Sequence, residues 1–269
     1  MYNEAVKTEY YKGYTIKVDY QKNAENPRTH RENVAVFTTL PSCRFSFGDK
    51  CVGDSYSEIQ ELYDKYITAK EKLTYFESWN EVEKESNSDG SCTYFLDNSV
   101  FGVISPENPD ESFCVFGVTL SENPDEIFCE DLDDLFGEFD KLNLLAQSDK
   151  VVIKPICYDS HSGETFWLGS TAGHMDENWD CGIAGFAYVE KSTLEQRGLL
   201  KDGDDFITVA SKVLDDEMEV FNTYAQGEVY EIQITDSDGE LFDCITDCIG
   251  EDSVSSNITY MKSIIDHAV

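Results

Sequence analysis

Tyr14, Ile16, Val18 and Tyr20 alternate with polar residues, the period-two pattern of a half-buried strand. Residues 33–39, with Val34, Val36 and Phe37, are predicted as its neighbour, across a polar loop at 23–31 whose Asn26-Pro27-Arg28 is turn chemistry. The period then lengthens. Ile59, Leu62, Tyr63, Tyr66, Ile67 and Leu73 recur at helical spacing behind Ser55 and Glu58, a capping-box pair, and predict one amphipathic helix over about 57–76. Short β-type runs follow at 92–96, 100–104 and 113–120, punctuated by Asp89-Gly90, Asn98 and Pro106. Leu132, Leu135, Phe136, Phe139, Leu142 and Leu145 then line one face of a helix predicted over 130–146.

The second half reads as strands at 151–158 and 181–189, the latter with Gly182 and Gly185 marking close packing, and a short helix from Ser192 and Glu195 to Gly198. A long helix begins at Asp204 and carries Phe206, Ile207, Ala210, Val213, Leu214, Phe221 and Tyr224 up to Gly227. A hairpin of 229–235 and 240–245 turns through Asp236-Ser237-Asp238-Gly239, and a helix at about 257–268 ends the pattern. Strands and long helices without strict βα alternation predict an α+β fold with mixed or antiparallel sheets, several amphipathic helices and a strongly acidic surface. The portions expected are an N-terminal α/β part (1–84), an acidic β-rich insertion ending in a helix (85–150) and a C-terminal α+β part (151–269).

Charge changes this picture most. The 269 residues carry 20 basic and 54 acidic side chains, a formal charge of −34. Between Glu85 and Asp140 there is no lysine or arginine, and 15 carboxylates are interleaved with apolar residues, as on a folded acidic surface. Residues 105–114 (Ser-Pro-Glu-Asn-Pro-Asp-Glu-Ser-Phe-Cys) recur as 121–129 (Ser-Glu-Asn-Pro-Asp-Glu-Ile-Phe-Cys), two equivalent acidic turns. Residues 201–269 hold 3 basic and 17 acidic groups, a second block. Such a surface repels nucleic acid and anionic membranes, and attracts proteins whose own sites hold a polyanion. Solubility, or adaptation to salt, is the plainer reading. The only mildly basic place is the loop of Arg28, His30 and Arg31. Nine cysteines, an odd count, with no secretory start and no long apolar run predict free thiols in a reducing cytoplasm and no membrane span.

Candidate chemistry is sparse. Cys157, His161, His174 and Cys181 hold two thiols and two imidazoles at a spacing foreign to familiar zinc knuckles, and buried structural cysteines are the simpler reading. A Cys–His nucleophile pair oriented by Asp159 or Asp180 is weaker still. Cys244 and Cys248 are expected to pack in a core, and residues 236–240 read as a hairpin turn, not a calcium loop. No phosphate-binding glycine loop and no nucleophile elbow is present, so no catalytic residue, metal ligand or cofactor is assigned.

Tyr158-Asp159-Ser160-His161-Ser162-Gly163, then Trp179-Asp180-Cys181-Gly182-Ile183-Ala184-Gly185-Phe186-Ala187-Tyr188-Val189, then Gly227-Glu228-Val229-Tyr230, resemble a family of uncharacterised proteins carried by phages, prophages and conjugative elements. Asn26-Pro27-Arg28 and Asp243-Cys244 resemble it too; the extra Ser160, and cysteine where serine is usual at 181, depart from it. The resemblance covers roughly the first 50 residues and 150–250, and it implies residence on a mobile element, whose accessory proteins often disarm host defence.

Two functions compete. In the first, an acidic surface mimics a nucleic-acid backbone and inhibits a host CRISPR effector or restriction enzyme in the cytoplasm, binding that nuclease complex and not nucleic acid or membrane; homo-oligomer formation stays open. Its expected partner-binding residues are Glu107, Asp110, Glu111, Glu122, Asp125, Glu126, Glu130, Asp131, Asp134 and Glu138, the last stacking with Glu130 and Asp134 on the exposed side of a helix. In the second, a small enzyme or metal-binding protein is centred on Cys157, His161, His174 and Cys181.

Overall fold

The computed structural model describes residues 6–30, 32–41, 43–49, 55–79, 82–86, 88, 92–96, 99–104, 136–161, 163–170 and 181–268. Helices and antiparallel sheets are both present, an α+β fold. Its elements divide between two compact units. Unit 1 combines residues 1–52 with 154–269, and unit 2 is 53–153. The division differs from the three portions read from the sequence. The N-terminal strands find their hydrogen-bonding partners near the C-terminus, so the first 52 residues group there and not with the helices that follow them.

In unit 1, β1 (Lys7–Tyr11) and β2 (Tyr14–Tyr20) form a hairpin whose two-residue turn, Lys12-Gly13, has φ of 47° and 88°. Positive φ at both positions suits the twist of an antiparallel pair, and Gly13 adopts it without strain. β10 (Val229–Thr235) and β11 (Leu241–Ile249) complete an antiparallel sheet ordered β1-β2-β10-β11. Ile16 and Val18 lie opposite Ile234 and Ile232, which makes one face of the sheet apolar. On it packs α7 (Gly250–Ala268), through Val254, Ile258, Met261 and Ile265 at helical spacing. Gly250, at φ 76°, switches the chain from strand to helix, so the helix starts seven residues before the expected Asn257.

The second sheet is ordered β3-β9-β7-β8, from β3 (Val36–Phe37), β9 (Cys181–Glu190), β7 (Val151–Asp159) and β8 (Thr165–Leu168). β3 pairs with β9, not with β2 as expected: Val36 faces Tyr188 and Phe37 faces Ala187. Gly185 explains the geometry, because a Cβ there would stand 1.8 Å from the Thr38 carbonyl oxygen. The close approach expected of that glycine is therefore real, and no side chain fits. The short helix α1 (Pro27–His30) precedes this sheet and α5 (Lys191–Gln196) follows it. Asp205, not Asp204, caps α6 (Phe206–Ala225) by accepting from the Thr208 N–H at 2.9 Å. Phe206, Ala210, Leu214, Met218 and Phe221 form the buried stripe of α6; Ile207, expected on it, is 58% exposed. Phe221 meets Phe37, Phe47 and Phe166 edge to face, an aromatic core for this half of the unit.

In unit 2 the single helix expected over 57–76 is two: α2 (Ser55–Tyr66) and α3 (Ala69–Glu77). Thr68 breaks it. Its hydroxyl accepts from the Glu71 N–H while Glu71 accepts from the Thr68 N–H, a capping box that starts a second helix. β4 (Val82–Ser86), β5 (Cys92–Leu96) and β6 (Ser99–Ile104) form an antiparallel meander. α4 (Glu138–Gln147) starts eight residues after the expected Glu130; Leu144 and Leu145 are buried while Phe139, expected in the core, is 79% exposed. Gly137 has no side chain to cap α4, and Asp140 reaches back to accept its N–H at 3.0 Å. The expected strand at 113–120, both copies of the repeat and the apolar positions Leu132 and Leu135 lie outside the described residues. No helix among the described residues is long and apolar enough to cross a membrane.

Candidate functional site

Of the ten acidic residues expected to bind a partner, Glu107, Asp110, Glu111, Glu122, Asp125, Glu126, Glu130, Asp131 and Asp134 lie outside the described residues. Glu138 stands in the first turn of α4, where the helix dipole favours a carboxylate. It pairs with Lys141 at 3.5 Å, and Lys141 also donates to Gln60 Oε1 at 2.6 Å. Glu138 is thereby partly neutralised within its own unit.

The second acidic block is described throughout, and it sits on unit 1. Asp202, Asp204, Asp205, Asp215, Asp216 and Glu219 are exposed on α6 and the turn leading into it, and Asp238, Glu240, Glu251 and Asp252 on the β10–β11 hairpin and the start of α7. Hydrogen bonds from the Thr208 side chain and backbone hold the Asp205 carboxyl below its usual range, so it remains charged as an anion.

Lysines and arginines are largely consumed inside the chain. Lys12 pairs with Asp266 at 2.9 Å, Lys17 with Asp19 at 2.6 Å, Lys84 with Glu77 at 2.7 Å, Lys154 with Asp215 at 3.0 Å, Lys212 with Asp216 at 2.5 Å and Lys262 with Glu9. Each such pair removes one cation from the outward field and leaves the surplus to carboxylates.

One cation is used differently, and the sequence reading missed it. Arg28, expected in a mildly basic polar loop, has its side chain only 1% exposed. Its Nε and Nη2 donate to the two oxygens of Asp49, each at 2.6 Å, its Nη1 to Glu217 at 2.5 Å and its Nη2 also to the Ala35 carbonyl at 2.6 Å. The guanidinium lies over the Phe37 ring at 3.8 Å from its centroid. Both carboxylates are held from behind as well: Asp49 accepts from the Phe37 N–H at 2.7 Å, and Glu217 from the Val34 N–H at 2.8 Å. Burial works against the Arg28 charge, and the bonds and charges of Asp49 and then Glu217 outweigh it, holding the guanidinium above its ordinary range. This node ties α1, β3 and α6 together. Nothing in the local pattern of Asn26-Pro27-Arg28 marks it, because its acceptors lie 21 and 189 residues away.

The Cys and His group is not assembled as a reactive centre by the described residues. Cys157 is fully buried, and its thiol donates to the Gly169 carbonyl at 3.3 Å. Burial first, and then Cys181, push that thiol up to about 11, the opposite of what a nucleophile or a ready metal ligand requires. His161 is exposed in a turn where its N–H bonds Asp159, and His174 and Asp180 lie outside the described residues. Among the described residues no three His, Cys, Asp or Glu side chains gather as they would around a metal ion. Cys244, expected in a core, is exposed on β11, while Cys248 is buried under α7 as expected. Asp236 accepts from the Asp238 and Glu240 N–H groups, each at 2.9 Å, making the hairpin turn expected there.

No family model, curated protein or solved structure matches this chain.

Proposed function

We propose that this protein is a cytoplasmic binding protein that engages the cation-lined site of a nucleic-acid-handling protein with its acidic surface and inhibits it, in the manner of a nucleic-acid mimic. The observation that carries the reading is the charge balance. The formal charge is −34, and the described lysines and arginines are mostly spent on internal pairs while the carboxylates of α6, the β10–β11 hairpin and α7 face solvent. B-DNA presents one charge per roughly 1.7 Å of its axis, so a mimic needs many carboxylates and few cations among them. The stretch from Glu85 to Asp140, without lysine or arginine, meets that composition. The resemblance to mobile-element proteins favours a host CRISPR effector or restriction enzyme as the target. The reading centred on Cys157 loses ground to the burial and raised pKa of that thiol.

The test is capture of partners from a host lysate at low and high salt, since exposed charges are screened beyond about 8–10 Å at physiological ionic strength. A nucleic-acid enzyme retained at low salt and released at high salt is the expected outcome. Replacing Glu130, Asp131 and Asp134 together with lysine, sparing the Glu138 pair with Lys141, should abolish capture and inhibition in a folded protein. A triple variant that folds and still inhibits like the parent overturns the reading.

A further inference from the structure

One groove of unit 1 has a chemistry unlike the rest of this acidic chain. It has a volume of about 540 Å³, in the range of sites for small organic ligands. Phe45, Phe166, Phe221 and Tyr224 line it, and Phe45 packs edge to face on Phe166 at 5.0 Å. The walls are already fixed. The Gln21 amide is paired with Asp247 by two hydrogen bonds of 2.9 and 2.6 Å, and the Asn26 amide donates to the Phe47 carbonyl at 2.8 Å while accepting from the Arg28 N–H. These amides are spent on architecture. Other polar heads on the same groove are not: Arg44 and Glu164 are exposed there, and among the described residues neither makes a hydrogen bond or ion pair. Arg44 lies over the Phe45 ring at 4.8 Å and has no carboxylate within ion-pairing distance among the described residues, whereas Arg28 and Arg197 do. In a chain so rich in carboxylates, an arginine held on an aromatic face without one is a cation kept available.

We propose that this groove binds a flat aromatic ligand carrying a single negative charge. The ring stacks in the aromatic channel, where burial and ring contacts supply affinity, and the anion receives the fork of N–H donors on Arg44. One charge is favoured over several because Glu164 borders the same groove and the chain as a whole carries −34, so each further anionic group meets repulsion that Arg44 alone does not offset. A carboxylate and a phosphodiester both satisfy this chemistry. Nothing in this groove depends on the acidic surface proposed to hold a protein partner, and either can fail without the other.

The test titrates the full-length protein, by ligand-observed NMR and calorimetry, with indole-3-acetate and with 3′,5′-cyclic AMP. Tryptophol and adenosine serve as their uncharged counterparts, and acetate as an anion without a ring. Binding of at least one aromatic anion, about tenfold tighter than its neutral counterpart and with acetate silent, is the expected result. Whichever anion binds identifies the carboxylate or the phosphodiester as the source. Arg44→Gln, at an exposed position, should keep the parent's melting temperature and erase the preference for the charged member, while leaving partner capture by the acidic surface unchanged. The proposal is overturned if no aromatic anion binds more tightly than acetate, or if the preference for charge survives in folded Arg44→Gln.

Discussion

The two sides of helix α6 use the same chemical group for opposite ends. Glu217 turns inward and, with Asp49, encloses Arg28 with hydrogen bonds from side chains and backbone. Asp215, Asp216 and Glu219, on neighbouring positions, stay in water with at most a lysine beside them. Position relative to solvent sets the energy of each. A desolvated charge must be fully partnered, so losing one partner is expensive, whereas exposed pairs are screened and contribute about 0–1 kcal/mol. The lesson is that the acidity of this chain has two separable parts: a small buried share that holds unit 1 together, and a large exposed share whose ion pairs contribute little to folding.

The strongest way to break that distinction is at Arg28. Arg28→Met removes the cation and leaves two carboxylates facing each other with little solvent, so urea denaturation should show a loss of about 3–5 kcal/mol. A cost below about 1 kcal/mol would mean that the buried and exposed carboxylates are energetically alike. A smaller effect is expected from the neutral buried group beside this comparison, Cys157. Its folded pKa is raised, so it favours the native state fully below the ordinary thiol value near 9 and loses that contribution as pH rises towards about 11. The parent should therefore lose roughly 2 kcal/mol more than Cys157→Ala between pH 9 and 11, by the linkage of about 1.4 kcal/mol per unit. Identical pH profiles for the two proteins would remove desolvation as the cause. The smallest effect belongs to the surface: Asp216→Asn breaks the pair with Lys212, whose side chains are 60% and 72% exposed, and should move stability by less than about 0.5 kcal/mol. A loss comparable to that of Arg28→Met would place the exposed acids among the structural ones.

Local periodicity made much of unit 1 legible. The alternation at Ile16 and Val18 and the turn at Asp236 to Gly239 rest on residues near one another in sequence, and Gly185 signalled a close approach without naming the distant Thr38 it meets; each stands as expected. Partner choice was not legible. β3 pairs with β9 and β2 with β10, and two residues such as Val36 and Phe37 carry too little pattern to name a distant neighbour. The break at Thr68 escaped for another reason: apolar spacing runs on across it, and only the reciprocal bonds with Glu71 reveal two helices. The Arg28 node was hidden because charge composition records a guanidinium without saying what surrounds it. The groove beside Arg44 draws on four separate stretches of chain, none of which signals it alone.

The joining of residues 1–52 with 154–269 sets a clock on synthesis. Gln21 and Asp247, which clasp each other by two hydrogen bonds, are 226 residues apart. At about 5–20 residues per second, a ribosome takes roughly 10–45 s to make the second after the first. Through that interval the edge of β2 that will receive β10 carries a row of unpaired N–H and C=O groups, the kind of template on which nascent chains stick to one another. Lys17 and Asp19, on β2 itself, set a charged pair along that waiting strand, the kind of side chain that discourages edge-to-edge sticking.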